Sequence, residues 1–323
     1  MSNQTAGDQR QLKQVALLIA AAAFLVGAAA ISVAQSPAGR FNSQTSDANN
    51  TYEAEPLTDF ETRILAQARL EGVVSMNETR APAGNNARGL ILTKGDAAIL
   101  DFSVTGRKYG ISLDGTGDVL IKNFTFIDRQ STDPYGSGLV MGFKSPTRGQ
   151  TYLSNAYIDL REPGPNPDYR AANNEAISVE RGSGLLNVRR AVLIGAEESG
   201  IDNKGDARMD AVFIASGHRP VRIWSGGSLV LTNSIVLAMP GFGGFWLGGG
   251  DEIARLDYYN CKFGRVGDRL QDLADEIPKW MISIEDGVDA RVNHLKRDPL
   301  PRGAETFWAA AKAPVPPGFL AGK

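Results

Sequence analysis

Short apolar strands on either side of one polar corner recur through the middle of this chain. In each segment Ile, Leu, Val and Phe alternate with other residues, as expected of strands that bury one face. The six segments are VLIKNFTFID (119–128), TYLSNAYIDL (151–160), LLNVRRAVLI (185–194), ARMDAVFIAS (207–216), LVLTNSIVLA (229–238) and ARLDYYNCKF (254–263). Aligned on the corner, the recurring residues are Asn123, Asn155, Arg190, Asp210, Asn233 and Asn260, at intervals of 20 to 35 residues. Repeats of variable length are typical of a solenoid.

The stretches between these segments hold a second short strand that ends in Gly or polar residues. A strand of four or five residues cannot bury one face alone, so each turn must stack on the next, about 4.8 Å away. Asn suits the corner because it bonds to nearby backbone groups and tolerates a left-handed backbone. The pattern predicts an all-β parallel β-helix of about seven coils. A β-sandwich also suits short strands with Gly-rich turns, but it would not require aligned corners.

The ends of the chain predict four further segments around the β-helix domain, 88–268. Residues 1–34 contain an apolar stretch after Arg10 and Lys13, which indicates a signal peptide. An uncleaved membrane anchor is the alternative, because twenty apolar residues can span a bilayer. Either reading predicts export to the periplasm, the cell surface or the medium, with membrane contact only if the segment is uncleaved.

Between the export segment and the solenoid, 35–55 is polar and predicts a disordered linker. The segment 56–87 predicts an N-terminal cap, in which Thr58 and Asp59 cap a helix that covers the open end of the solenoid. The C-terminal tail, 269–323, is expected to pack along the solenoid or to cap it.

Composition narrows the class of partner. The chain has 323 residues, 42% of them hydrophobic, which is enough for one elongated domain. The net charge is −2 and no Lys- or Arg-rich run is present, so a nucleic-acid partner is not expected. Cys261 is the single cysteine, which excludes an intrachain disulfide.

The repeat and its Asn corners over 88–268 resemble the right-handed parallel β-helix proteins, a group that includes pectate lyases and the alginate- and chondroitinase-type polysaccharide lyases. The stretch NKGDARMDAVFIASGHRPVRIW (203–224) is similar to the region of those lyases where an Asn-Lys pair is followed, one coil later, by an Arg on the same face. The resemblance implies a single-stranded right-handed β-helix and lyase chemistry. Where the family usually has His and Gly after that Arg, this chain has Ile223 and Trp224.

The second strand of the repeat carries the densest group of charged and aromatic residues. Its inward residues are Ile111, Leu139, Ile177, Ile201, Val221 and Phe245. Because side chains alternate along a strand, the neighbours of these residues point outward in register. One outward column is then Ser112, Val140, Ser178, Asp202, Arg222 and Trp246. The next is Asp114, Gly142, Glu180, Lys204, Trp224 and Gly248.

This group suits cleavage of an acidic, uronate-containing polysaccharide by β-elimination. The reaction needs a neutralised carboxylate beside the reacting carbon and a base that removes the adjacent proton. Arg222 is the candidate neutraliser, and Lys204 is the candidate base if its pKa is lowered. Glu175, Glu180 and Asp202 are candidate ligands of Ca²⁺, which prefers oxygen atoms.

Four more residues are candidates for substrate binding. Trp224 and Trp246 offer flat apolar faces for sugar rings, and His218 and Arg219 lie on the turn before the Arg222 strand. His218 is also explained as an ordinary residue of a surface turn.

Two alternatives to the lyase stay open. The opposite charges on adjacent strands are also explained as ordinary cross-strand ion pairs, which predicts a noncatalytic β-helix that binds or scaffolds an exported glycan. A uronate epimerase uses the same proton abstraction. Glycoside hydrolysis is disfavoured because the face lacks paired aspartates. A groove filled by the tail or by 161–174 would favour binding over catalysis.

Overall fold

The computed structural model describes residues 54–67, 74–80, 88–105, 108–127, 135–160, 173–303, 305–309 and 312–321. The apolar stretch before residue 35, the linker up to residue 53 and most of the 161–174 connection lie outside these ranges. Within them, no helix has the length and apolar character needed to cross a membrane.

The described residues form one α-helix and nineteen β-strands. Helix α1 spans Asp59–Gln67. The strands are β1 Val74–Arg80, β2 Arg88–Leu92, β3 Ala97–Thr105, β4 Tyr109–Leu113, β5 Val119–Ile127, β6 Tyr135–Met141, β7 Thr151–Asp159, β8 Asn173–Val179, β9 Leu186–Ile194, β10 Ser199–Asn203, β11 Asp206–Ser216, β12 Val221–Trp224, β13 Ser228–Thr232, β14 Ile235–Ala238, β15 Phe245–Gly248, β16 Ala254–Tyr259, β17 Lys262–Arg265, β18 Ile282–Ile284 and β19 Ala290–His294. Short 3₁₀ helices span Leu270–Asp272 and Lys279–Met281.

The strands form two sheets in which every pairing between strands is parallel. Sheet A has the order β1-β3-β5-β7-β9-β11-β13-β16-β19, with β14 joining β11 to β17, and sheet B has the order β18-β15-β12-β10-β8-β6-β4-β2. The chain passes alternately from one sheet to the other, and each strand pairs with its counterpart one turn later. This confirms the predicted parallel β-helix. The solenoid exceeds the expected 88–268 at both ends, because β1 pairs with β3 while β18 and β19 pair with β15 and β16.

Columns of apolar side chains fill the space between the sheets. One column in sheet A follows the strand register from Ile99 through Ile121, Leu153, Val188 and Met209 to Leu231, all fully buried. Burying one such side chain contributes roughly 1.5 to 3 kcal/mol relative to leaving it exposed. The stacked columns supply the stability that a single turn lacks.

The long strands of sheet A bend at one residue with a left-handed backbone. These residues are Asp101, Asn123, Asn155, Arg190, Ala211, Asn233 and Asn260, with φ between 48° and 55°. The side-chain amides form a ladder from coil to coil: Asn155 Nδ2 donates to Asn123 Oδ1, and Asn260 Nδ2 donates to Asn233 Oδ1, each over 2.7 Å. The predicted corners are therefore confirmed, with one exception.

The predicted corner Asp210 is wrong by one residue, since Ala211 takes the left-handed position. The strand register pairs Asp210 with Arg189, the residue before the Arg190 corner. Asp210 still joins the ladder, because Asn233 Nδ2 donates to its Oδ1 over 2.7 Å. A carboxylate one position early thus replaces the missing amide.

Helix α1 lies on the outer face of sheet A and not over the open end of the solenoid, which corrects the predicted cap. Thr58 and Glu61 form a capping box, with Thr58 N donating to Glu61 Oε2 over 2.8 Å and Glu61 N donating to Thr58 Oγ1 over 3.2 Å. The same carboxylate accepts from Lys122 Nζ over 2.7 Å and from Ser154 Oγ over 2.6 Å. These bonds to β5 and β7 fix the helix on the side of the solenoid.

The C-terminal tail packs along the same outer face. Of the two predicted arrangements, packing along the solenoid is the one observed for this part of the tail. Phe307 lies against Phe60 of α1 and Tyr152 of β7, with ring centroids 5.9 and 5.3 Å apart. Further on, Phe319 packs edge-on against Phe213 at 5.3 Å. The outer face of sheet A is therefore covered by two segments of the chain itself.

Candidate functional site

The outward residues of β8, β10, β12 and β15, together with the turns beside them, form what we call the sheet B face. The strand pairings place Ser178, Asp202, Arg222 and Trp246 opposite one another in that order. This is the column predicted from side-chain alternation. Glu180, Lys204 and Trp224 follow two residues later on their strands and form the second predicted column.

Carboxylates surround both cations of these columns. Lys204 Nζ lies 2.7 Å from Glu180 Oε1 and 3.4 Å from Asp202 Oδ2. Arg222 Nη1 lies 2.5 Å from Glu198 Oε1, and its Nε lies 3.5 Å from Asp202 Oδ1. Asp202 therefore stands between the two cations, and Arg222, Glu198 and Asp202 are all buried.

Two tryptophans sit beside this ion-pair network and are partly exposed. The rings of Trp224 and Trp246 meet edge to face with centroids 4.9 Å apart. Trp224 Nε1 donates to Asp202 Oδ1 over 2.6 Å, which fixes the orientation of the indole. The Arg222 guanidinium lies 4.9 Å from the Trp224 centroid and 5.3 Å from that of Trp246, within the range of cation–π attraction.

The turn between β11 and β12 extends the aromatic surface. Arg219 lies 5.3 Å from the Trp246 ring, and His218 packs against Phe242 with centroids 4.5 Å apart. Burial first, and then the charge of Arg219, lower the pKa of His218 to about 4. His218 is therefore neutral at pH 7, which suits a packing role and not that of a cation.

The protonation state of Lys204 does not match that of a general base. Burial lowers its pKa, but the charge of Asp202 and the hydrogen bond to Glu180 outweigh that effect, and the net pKa is raised above 10.5. Lys204 is consequently protonated at neutral pH. The lowered pKa that the predicted base requires is absent from this arrangement.

Glu175 is buried beside other acidic groups. Burial first, and then the neighbouring charges of Asp202 and Glu198, raise its pKa well above 4.5. In the strand register it faces Ser137 on one side and Ser199 on the other, and both serines are buried. Glu175 therefore holds a proton more readily than an exposed glutamate does.

The three predicted Ca²⁺ ligands do not form a metal-binding group here. Across the ranges that the structure describes, no three side chains of His, Cys, Asp or Glu come together in a way that could hold a metal ion. Glu180 and Asp202 instead contact Lys204, and Glu175 is buried with a raised pKa. A cation is already present between the carboxylates, namely the Lys204 ammonium group.

Two residues of the site were missed by the sequence reasoning. Glu198 pairs with Arg222 although it precedes β10, in a turn whose register cannot be read from strand alternation. Phe242 is exposed and packs on His218 from the loop before β15. The adjacent acids Glu197 and Glu198, directly before an apolar strand, were the only signal available for the first.

The predicted site residues thus fall into two groups. The structure brings together Lys204, Arg222, Trp224, Trp246 and Arg219, with Asp202 and Glu180 between them. His218 lies at the edge beside Phe242. The part of the tail around Phe307 and Phe319 packs on sheet A, whereas β18, earlier in the tail, extends sheet B beside β15.

Comparison with family models, with curated proteins and with solved structures finds no match to this chain.

Proposed function

We propose that this protein is an exported carbohydrate-binding β-helix whose sheet B face holds a polysaccharide chain. The observation that carries the proposal is the pair Trp224 and Trp246, adjacent on consecutive coils and partly exposed. The large aromatic rings on the outer face of sheet A, by contrast, are covered by the chain itself. Exposed aromatic rings that the fold does not use are typical of a binding surface.

The contacts around the two tryptophans favour recognition because they limit side-chain motion before a ligand arrives. Trp224 is held by its hydrogen bond to Asp202, and Trp246 lies between Arg219 and Arg222. A rigid ring loses little conformational entropy on binding, which preserves affinity. Sugar rings present apolar C–H faces that pack well on such rings.

The test is a comparison of Trp224→Ala and Trp246→Ala with the wild-type protein on a panel of immobilised polysaccharides. We expect each substitution to weaken binding by tenfold or more, as truncation of a central aromatic contact does, on the order of 1.5 to 2 kcal/mol. Trp280→Ala is the matched control, because Trp280 is also exposed and lies against an arginine, Arg265, but belongs to a 3₁₀ helix outside the sheet B face. Unchanged binding in both variants, or a loss as large in the control, would refute the proposal.

A β-eliminating lyase for an acidic polysaccharide is the second candidate, favoured by Lys204 and Arg222 on consecutive coils. Elimination would move the sugar proton to the Lys204 amine while the bond to the leaving oxygen breaks, a double bond forms and that oxygen takes a proton from water. Because the pKa of Lys204 is raised, that activity would increase only toward strongly alkaline pH. A uronate epimerase would share the first step and the same requirement.

Near-ultraviolet absorbance from unsaturated sugar ends distinguishes the lyase from the binding protein. Uronate polysaccharides are incubated with the protein from neutral to alkaline pH, with and without Ca²⁺. Absorbance that grows with pH and disappears in Lys204→Ala would support the lyase. Absence of the signal, together with retained glycan binding, supports the first proposal.

A further inference from the structure

The cations of the sheet B face are balanced within the protein. Lys204 contacts Glu180 and Asp202, while Arg222 contacts Glu198 and Asp202. With Arg219 included, three cations stand among the four carboxyl groups of Glu175, Glu180, Glu198 and Asp202. Unlike a face built to attract an anion, the described residues of this one present no excess of positive charge.

Burial makes this balance difficult to disturb. Arg222 and Glu198 have side-chain exposures of 8% and 7%, and Asp202 has 4%. A ligand carboxylate that captured Arg222 would leave Glu198 or Asp202 as a buried charge without its partner, which is strongly unfavourable. The same ligand would also be repelled by the three carboxylates.

The remaining surface is suited to an uncharged ligand. Trp224 and Trp246 provide apolar area, and His218 is neutral near pH 7.

Resting on the proposed glycan-binding function, we infer that the sheet B face selects a neutral hexose polysaccharide over an acidic one. The ligand class follows from the charge balance together with the aromatic pair. The paired cations hold the carboxylates and the tryptophans in place and do not serve as anion receptors.

The test uses pairs of ligands that differ in charge alone. Polygalacturonate, alginate and hyaluronan are each compared with their carboxyl-reduced forms, in which every uronate becomes a neutral hexose of the same linkage. We expect the wild-type protein to bind at least one reduced form tenfold or more tightly than its parent. That binding should change little between low and high salt, because screening affects charged contacts most.

Glu198→Gln sharpens the test, because it removes the closest carboxylate from Arg222. This variant should gain affinity for the uronate polymers relative to the wild-type protein. The control is Asp275→Asn, which alters an exposed ion pair with Lys262 of sheet A and should change nothing. Circular dichroism verifies that Glu198→Gln is folded. If Glu198→Gln proves unfolded, the ranking of the ligand pairs by the wild-type protein decides alone.

The outcomes separate the two proposals. Tighter binding of the uronate forms by the wild-type protein overturns the selection for neutral ligands and leaves the glycan-binding function standing. Failure of every polymer, charged or neutral, to bind overturns both. Equal affinity within each pair also overturns the inference, since it would show that the protein does not distinguish charged from neutral ligands.

Discussion

The outer faces of sheets A and B carry similar side chains, yet they differ in how far other segments of the chain cover them. On sheet A, Lys122 pairs with Glu61 of helix α1, and Tyr152 packs against Phe307 of the tail. On sheet B, Arg222 pairs with Glu198 from the turn before β10, and the aromatic rings of Trp224 and Trp246 stay partly exposed. Both faces neutralise their charges, but among the residues that the structure describes only sheet A has aromatic rings covered by added segments of the chain.

We therefore expect the outer face of sheet A to contribute to folding stability and the outer face of sheet B to ligand binding. An ion pair and an aromatic contact that fasten a covering segment contribute to folding. The same chemistry on an uncovered face leaves apolar area available to a ligand. Substitutions on the two faces should therefore affect different measurements.

The largest effect is expected from Lys122→Met on the covered face. Lys122 and Glu61 are almost completely buried, with side-chain exposures of 1% and 0%, and their atoms lie 2.7 Å apart. Removing the cation leaves a buried carboxylate without its closest partner, which should cost about 3 to 5 kcal/mol. Chemical denaturation measures this loss.

Lys262→Met provides the matched control, since its pair with Asp275 has the same 2.7 Å separation but is exposed. It should cost less than about 1 kcal/mol. Equal losses in the two variants would mean that burial under helix α1 is not what makes the pair of sheet A important.

The next largest effect concerns the aromatic contacts. Phe307→Ala removes a buried ring that packs on Phe60 and Tyr152, and should cost about 3 kcal/mol. Trp246→Ala removes a partly exposed ring and should cost less than about 1 kcal/mol of stability. Thermal unfolding of the two variants measures both losses. A larger loss in Trp246→Ala than in Phe307→Ala would contradict the contrast between the two faces.

Acidification should loosen the covered face by a smaller amount. Although burial opposes its charge, the bonds from Lys122, Ser154 and Thr58 lower the pKa of Glu61 below 4.5. A lowered pKa contributes stability above the unfolded value and loses it as the pH falls through the folded one. Stability should thus decline below about pH 4.5 in the wild-type protein, and the decline should be weaker in Glu61→Gln, measured by denaturation at several pH values.

The smallest expected effect lies at the Ala211 corner of sheet A. Ala has a φ of 55° there, a conformation that Gly adopts without steric cost. Ala211→Gly should stabilise the protein by up to about 1 kcal/mol. Ala215→Gly in the same strand, where φ is not positive, should destabilise it, and a shift of both melting temperatures in one direction would contradict the strain argument.

The fold could be predicted from the sequence because its rule is local and repeats. Alternation fixes which residues face inward, so the column of Asp202, Arg222 and Trp246 follows from the order of residues alone. The Ala211 corner could not be identified, because Asp210 resembles the amide it replaces and sits one position earlier. The location of helix α1 was also unreadable, since an apolar stripe shows that a face is buried but not what covers it.

The chemistry of the site was less predictable because it depends on distances across coils. Lys204 has the residue type of a base, but Asp202 and Glu180 lie beside it and both stabilise its proton. Glu198 lies in a turn outside the strands, where side-chain alternation does not apply. Charges that pair between distant segments, such as Arg302 with Asp210, leave no local pattern.

Helix α1 depends on parts of the chain that are synthesised after it. The carboxylate of Glu61 completes the cap of this nine-residue helix and also binds Lys122 and Ser154, which lie on coils that emerge from the ribosome later. A helix this short is marginal alone in water. The neighbouring Phe60 packs on Phe307, so this contact forms only after the tail has been synthesised. A truncated chain that ends before Phe307 would lack the contact between α1 and the tail. Cleavage of α1 by a protease should therefore be faster in such a chain than in the full-length protein.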